Sequence, residues 1–349
     1  MTEATSLSSL DNESYFQMVA NEDLRGETVV YSTEAYTRAL RRASLKLVGR
    51  DPSAEELTSI QNDKAKYSEV IQSYLDSEDF LRQMKIFFQG NFEMKGMENG
   101  VNLDEPTNLA LHLIKSDRDF REILTSKDCY SNDLKPIPCS SFSSLKDQEE
   151  QASGALTTQA FLKKWSSPFN FRRTSKAFQL FTCGQYPDAT DRGLEPAQIS
   201  SRVKEFNCTT CAPACYTCHR SMNSSAALFY SYDRNGKFNR SPSSAVATRT
   251  DTGQISTLSD VLADNVTPEY HGEKLEALKD YGHQLSRSRK FRDCLTQRMV
   301  SLMLGTSPTE PVPASMQIVR DRLSWNGFRV KNLLLEIVTH PSFIKREEI

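Results

Sequence analysis

At 349 residues the chain is long enough to bury a substantial core without needing disulfides or metal as staples. Lys and Arg total 43 against 45 Asp and Glu, a formal net charge of −2, which argues against the broad basic field of a nucleic-acid binder. No apolar run approaches the roughly 18 residues of a membrane helix.

Residues 1–31 are poor in apolar side chains and show no period, so they read as a disordered or extended N-terminal arm. The opening "MTEATSLSSLDNESYFQMVANED" has neither the cationic region nor the apolar stretch of a secretory leader. The chain is therefore expected to be either cytosolic or a mature form whose leader has been removed. From Thr33 the pattern turns helical. "STEAYTRALRRASLKLVGRDPSAEELTSI" reads as two helices, with Tyr36, Leu40, Ala43 and Leu47 on one stripe and Gly49 as the stop. Asp51-Pro52 are expected as cap and first-turn residue, although Ser53 and Glu56 repeat the capping-box spacing out of phase with Asp51.

Helical period continues through Val70, Ile71, Tyr74 and Leu75, then Phe80, Leu81, Met84, Phe87 and Phe88, which read as core. A third helical region covers "NLALHLIKSDRDFREILTSKD", where Ser116 or Asp117 is expected to cap a short second piece. His112, inside its apolar part, reads as a core or surface histidine rather than a ligand. Two polar stretches, 140–154 and 239–254, are expected as linkers or loops. They divide the chain into a helical N-terminal domain over 32–139, a cysteine-rich domain over 155–238 with its helices broken at Pro168, and a helical C-terminal domain over 255–349. Long strand-type alternation is missing. The expected fold is mainly α, multi-helix and two-lobed, with an irregular cysteine-rich segment between helical modules.

That segment contains "CTTCAPACYTCHR", residues 208–220, with four of the eight cysteines. Cys215-Tyr216-Thr217-Cys218-His219 fits C-x-x-C-H, the pattern of covalent haem attachment. One helical turn between two thiols suits addition to the two haem vinyl groups, and the adjacent imidazole suits the iron. Zinc held by Cys208, Cys211, Cys215 and Cys218, or by His219, would leave a cramped loop between the two C-x-x-C knuckles. An iron–sulfur cluster would want different spacings and a following proline. Disulfides throughout are the plain alternative. Elsewhere, Cys129 and Cys139 bracket a short loop with Pro136 and Pro138, for which a local bridge is the least demanding choice. No catalytic carboxylate pair, nucleophile–base arrangement or phosphate-cradling glycine loop stands out.

"ISSRVKEFNCTTCAPACYTCHRSMNSSAALFYSYDRNGKFN" resembles the haem-motif domain of the planctomycete-type cytochrome c family, large secreted or periplasmic proteins. Arg202, Cys215, Cys218, His219, Phe229, Asp233 and Gly236 match that family's pattern, with Tyr232-Asp233 where it has Phe-Asp. "GALTTQAFLKKWSSPFNFRRTSKAFQLFTCGQYP" upstream, and "FRDCLTQRMVSLMLGTSPTE" and "LSWNGFRVKNLLLEIVTHPSFIKR" downstream, are similar to its flanking modules in the same order, and "RALRRASLKLVGRDPSAEEL" is similar to its opening helix pair. The sequence departs at Asn223-Ser224, where the family has Asp-Pro, and in the additional Cys208 and Cys211.

The resemblance implies haem c joined to Cys215 and Cys218, with His219 as the proximal iron ligand, and a periplasmic or secreted location. It also places Cys183 and Cys294 where the family carries cysteines, which suggests pairing them and leaves Cys208 with Cys211, or a rearrangement among these four. Met222 is too near His219 to reach the far face of a haem. Met299, Met303, His271 and His283 are the distal candidates, although Met299 and Met303 read first as core and His283 as a surface residue, and five-coordinate iron stays open. The expected role is electron transfer with a redox or envelope protein. A disulfide-stabilised helical scaffold is the alternative, and a haem-dependent enzyme with an open distal position a third reading.

Overall fold

The computed structural model of the chain describes residues 31–166, 170–185, 225–240, 247–248, 255–256, 269–270 and 273–345. Residues 1–30 of the expected arm and most of the 239–254 loop lie outside them. The described residues are mainly helical. In chain order the helices are α1 (Thr33–Leu47), α2 (Ala54–Asn62), α3 (Lys66–Leu75), α4 (Glu78–Phe92), α5 (Glu105–Lys115), α6 (Leu145–Gln151), α7 (Gln159–Lys164), α8 (Phe171–Thr182), α9 (Leu278–Arg287), α10 (Arg289–Leu304), α11 (Gln317–Trp325), α12 (Val330–Thr339) and α13 (Pro341–Ile344). Strands among the described residues are two-residue antiparallel ladders, such as Cys129–Tyr130 with Pro136–Ile137. Among the same residues no helix is long and apolar enough to cross a membrane.

The chain forms two compact units. The first takes the residues up to Gln83, with Thr296–Asn326 and Lys331–Ile349; the second takes Met84–Leu295 and Gly327–Val330. The expected domains run in chain order, whereas the first and last helices here share one unit. Their apolar faces account for this. In the first unit α1 buries Ala35, Ala39, Leu40, Ala43 and Leu47, with Tyr36 half-buried beside them. The buried Tyr67 of α3 donates its hydroxyl to the Val338 carbonyl of α12 at 3.0 Å. Arg42 of α1 donates to the Phe343 carbonyl at 2.5 Å and lies 5.2 Å from that ring's centre. Phe343 is fully buried, and burial of such a ring contributes roughly 1.5–3 kcal/mol.

Gly49 ends the first helix as expected, at φ +70°. The start of α2 differs from the expectation. Ser53, not Asp51, is the cap: its Oγ accepts the Glu56 N–H at 3.1 Å while Glu56 Oε2 accepts the Ser53 N–H at 2.6 Å. Only Ser53 stands three residues before a side chain long enough to reach back.

In the second unit an aromatic run forms the core, with ring centroids 5.5 Å apart for Phe88–Phe92, 5.4 Å for Phe88–Phe120 and 5.8 Å for Phe92–Phe181. The piece after α5 is a 3₁₀ turn, Phe120–Leu124, capped by Asp119 rather than Ser116 or Asp117. Asp119 accepts the Arg121 N–H at 2.9 Å, whereas Asp117 pairs with Arg329 at 2.7 Å.

Residues 140–154, expected as a linker, are structured. They include α6, and their polar side chains serve buried backbone. Ser141 donates to the Thr157 carbonyl at 2.6 Å, Ser153 donates to the Leu124 carbonyl at 2.9 Å, and Gln148 accepts the Cys139 N–H at 2.9 Å while donating to the Lys127 carbonyl at 2.8 Å. A composition that looks solvated is here the internal hydrogen-bonding supply.

Candidate functional site

Within the second unit, α8 presents Thr174, Ala177, Phe178 and Phe181 to the interior, and Arg173 falls on the same buried stripe. The helix ends at Cys183, which takes the left-handed conformation at φ +54° and bonds to Cys294 of α10. This bridge joins positions 111 residues apart, so the loop it closes contains the whole 208–219 stretch. On the far side of that stretch the described chain resumes at Ser225, 1% exposed, and runs into Phe229, whose ring stacks on Phe161 of α7 at 6.2 Å.

A tight turn follows. Tyr232 bridges Phe238, and Asp233 Oδ1 accepts the N–H groups of Asn235 at 2.9 Å and Lys237 at 2.8 Å. Gly236 is required on two counts: its φ is +75°, and a β-carbon there would stand 2.9 Å from the Gln159 carbonyl oxygen.

Arg173 locks this turn to the helices. Only 1% exposed, it donates from Nε to the Leu162 carbonyl at 2.8 Å, from Nη1 to Asn170 Oδ1 at 2.9 Å and the Tyr232 carbonyl at 2.8 Å, and from Nη2 to the Asp233 carbonyl at 2.5 Å. Burial pulls its pKa down to about 10 against the attraction of Asp233 and Tyr232, so it stays charged at neutral pH. The guanidinium fork has enough donors to serve four acceptors on three pieces of chain at once. The Tyr232 hydroxyl, beside the rings of Phe142 and Phe238, is buried with no hydrogen-bond partner among the described residues, and desolvation pushes the phenol far above its ordinary value.

A second buried charge lies in this unit. Glu105, in the first turn of α5 and 7% exposed, accepts the Ala160 N–H at the start of α7 at 2.9 Å and the Ser140 hydroxyl at 2.8 Å. Desolvation raises its pKa against those hydrogen bonds and the attraction of Lys237. Nearby, His112 stacks on Tyr130 at 3.9 Å, and burial lowers its pKa.

The residues expected to hold haem, Cys215, Cys218 and His219, lie outside the described residues, as do Cys208, Cys211 and His271. The structure brings Cys129 to Cys139, with Cα atoms 5.0 Å apart, and Cys183 to Cys294, 5.3 Å apart. Of the distal candidates, Met299 and Met303 are packed into the first unit, 0% and 2% exposed, while His283 lies exposed on α9 in the second. Among the described residues no group of three or more His, Cys, Asp or Glu side chains is placed to hold a metal ion. No family model, curated protein or solved structure matches this chain.

The sequence motifs took in Asp233, Gly236 and the Arg173-Thr174-Ser175 element but gave Arg173 no role, and they did not reach Glu105. Arg173 had a readable signal, a charged residue at helical spacing on the stripe of Ala177 and Phe181. Glu105 had none, because an acidic residue in a first helical turn ordinarily faces solvent.

Proposed function

We propose that this chain is a c-type haem protein of an oxidising compartment, which passes electrons to or from a redox or envelope protein. The C-x-x-C-H spacing of Cys215, Cys218 and His219 carries this reading. The donor set suits the group: two thiols that form thioethers and an imidazole that ligates iron. Cys129, Cys139, Cys183 and Cys294 are engaged with one another, which supports a role for the remaining thiols distinct from those two bridges. The bridges themselves support a location outside the reducing cytoplasm. Bound haem would supply a one-electron iron couple. The protein contributes attachment at Cys215 and Cys218, the imidazole of His219, and a frame in which Cys183 anchors one end of the segment and the Ser225–Phe238 stretch the other. The tight packing of Met299 and Met303 favours a core role for both.

The two bridges also favour a second reading, a disulfide-stabilised helical scaffold that makes envelope contacts without redox chemistry. Intact mass under non-reducing conditions, on protein matured in a periplasm with a haem-attachment system, separates the two. A mass increased by one haem, with haem absorption bands that vanish in a Cys215→Ser, Cys218→Ser variant, is the expected result. A mass equal to the polypeptide less two hydrogens per disulfide, without those bands, would exclude haem and leave the scaffold.

A further inference from the structure

We propose that the Cys183–Cys294 disulfide is a thiol-exchange site, opened by an external dithiol that attacks the sulfur of Cys183. The two bridges differ in the property that decides access. Cys129 and Cys139 are both 3% exposed, whereas Cys183 is exposed and its partner Cys294 is 3% exposed. Exposed disulfides are the labile ones, and attack falls on the sulfur that a reductant can reach.

The surroundings also favour one direction of cleavage. Cys183 caps the C-terminus of α8, where the helix dipole is negative and disfavours a thiolate. Cys294 sits on α10 one turn after Lys290, and side chains four apart on a helix share a face. The Lys290 ammonium is held 5.2 Å from the centre of the Phe178 ring, on the last turns of α8, so the cation lies at the seam that the bridge crosses. A neighbouring cation lowers a thiol pKa, and the thiol of lower pKa leaves faster. Burial of Cys294 opposes this, and Lys290 is the group placed to offset it.

The step balances. A thiolate of the dithiol bonds to Cys183 Sγ, the Cys183–Cys294 bond breaks, and Cys294 departs with the electron pair. The second thiolate of the reductant then displaces Cys183. The reductant leaves as a disulfide, and the protein's two thiolates take up the two protons that the dithiol has lost. The loop so released contains the 208–219 stretch, but the exchange stands on its own whether or not that stretch carries haem.

The test is native-buffer reduction of the intact protein by dithiothreitol, with acid quenching, alkylation of free thiols and peptide mapping by mass. Cys183 and Cys294 should be labelled at least tenfold faster than Cys129 and Cys139, with the far-UV circular dichroism unchanged. Equal rates, the reverse order, or opening only after loss of the folded signal would overturn the proposal. Glutathione should be trapped on Cys183, and trapping on Cys294 would overturn the direction of attack. Lys290→Gln should slow opening roughly three- to tenfold while Lys290→Arg retains the rate; an unchanged rate in Lys290→Gln would overturn Cys294 as the assisted leaving group.

Discussion

Two glutamates do the same mechanical work in the two units, holding N–H groups at a helix start, and their surroundings drive them in opposite directions. In the first unit Glu56 accepts the Ser53 N–H at 2.6 Å, both guanidinium arms of Arg50 at 2.8 and 3.0 Å, and the Tyr74 hydroxyl at 2.8 Å. Arg50 dominates, and the carboxyl falls to about 2. In the second unit Glu105 receives hydrogen bonds from the neutral Ala160 amide and Ser140 hydroxyl, and desolvation raises it. Arg173 follows the same rule: its hydrogen bonds end on carbonyl and amide oxygens, and burial lowers it. At Glu56 charge meets charge beside solvent. At Glu105 and Arg173 buried charge orients neutral partners, where removal leaves several groups unpaired.

The largest test of that contrast is Arg173→Met against Arg50→Met. Arg173→Met strips donors from three carbonyls and is expected to cost about 3–5 kcal/mol in urea unfolding. Arg50→Met, at a residue with 45% of its side chain exposed, should cost about 1 kcal/mol or less. Equal losses would break the comparison. Next comes the carboxylate pair: Glu105→Ala should cost about 2–3 kcal/mol, for an orphaned amide and a small cavity, and Glu56→Ala about 1 kcal/mol, the value of a cap.

Their pH dependences separate them further. Glu56 has a folded pKa of about 2, below its ordinary 4.5, so its contribution is complete above about 4.5 and is lost as pH falls through 2. Glu105 has a folded pKa above 4.5, so its contribution is complete below 4.5 and is lost as pH rises through the raised value. Chemical unfolding as a function of pH should therefore show Glu56→Gln removing stability dependence between pH 4.5 and 2, and Glu105→Gln removing an opposite dependence above 4.5. Shifts of the same sign in both variants would refute the assignment of burial as the cause at Glu105.

Much of the helical plan was legible because amphipathic stripes such as Leu40, Ala43 and Leu47 impose one period on one face. The Ser53 cap was visible as a spacing and was displaced in the reading by the Asp51-Pro52 pair, since local signals compete and only geometry ranks them. The 140–154 stretch misled for a physical reason: Ser141, Gln148 and Ser153 look like a solvated linker until their backbone partners are known. The union of first and last helices depends on long-range contacts such as Tyr67 with Val338, which no local pattern encodes. At the site, Asp233 and Gly236 were noted as positions in a motif and not as a turn, and the carbonyls that Arg173 serves were not legible, because backbone acceptors carry no sequence signature.

The smallest predicted effect tests the same idea with the sign reversed. The Tyr232 hydroxyl is buried among Phe142 and Phe238 without a partner among the described residues. Arg173 reaches the backbone carbonyl of Tyr232, not its phenol. Tyr232→Phe therefore keeps the ring, the bridge to Phe238 and the Arg173 hydrogen bonds, while removing one desolvated polar group. Unfolding free energy should stay level or rise by up to about 1 kcal/mol. A loss of more than 1 kcal/mol would mean that the phenol is hydrogen-bonded to an acceptor outside the described residues.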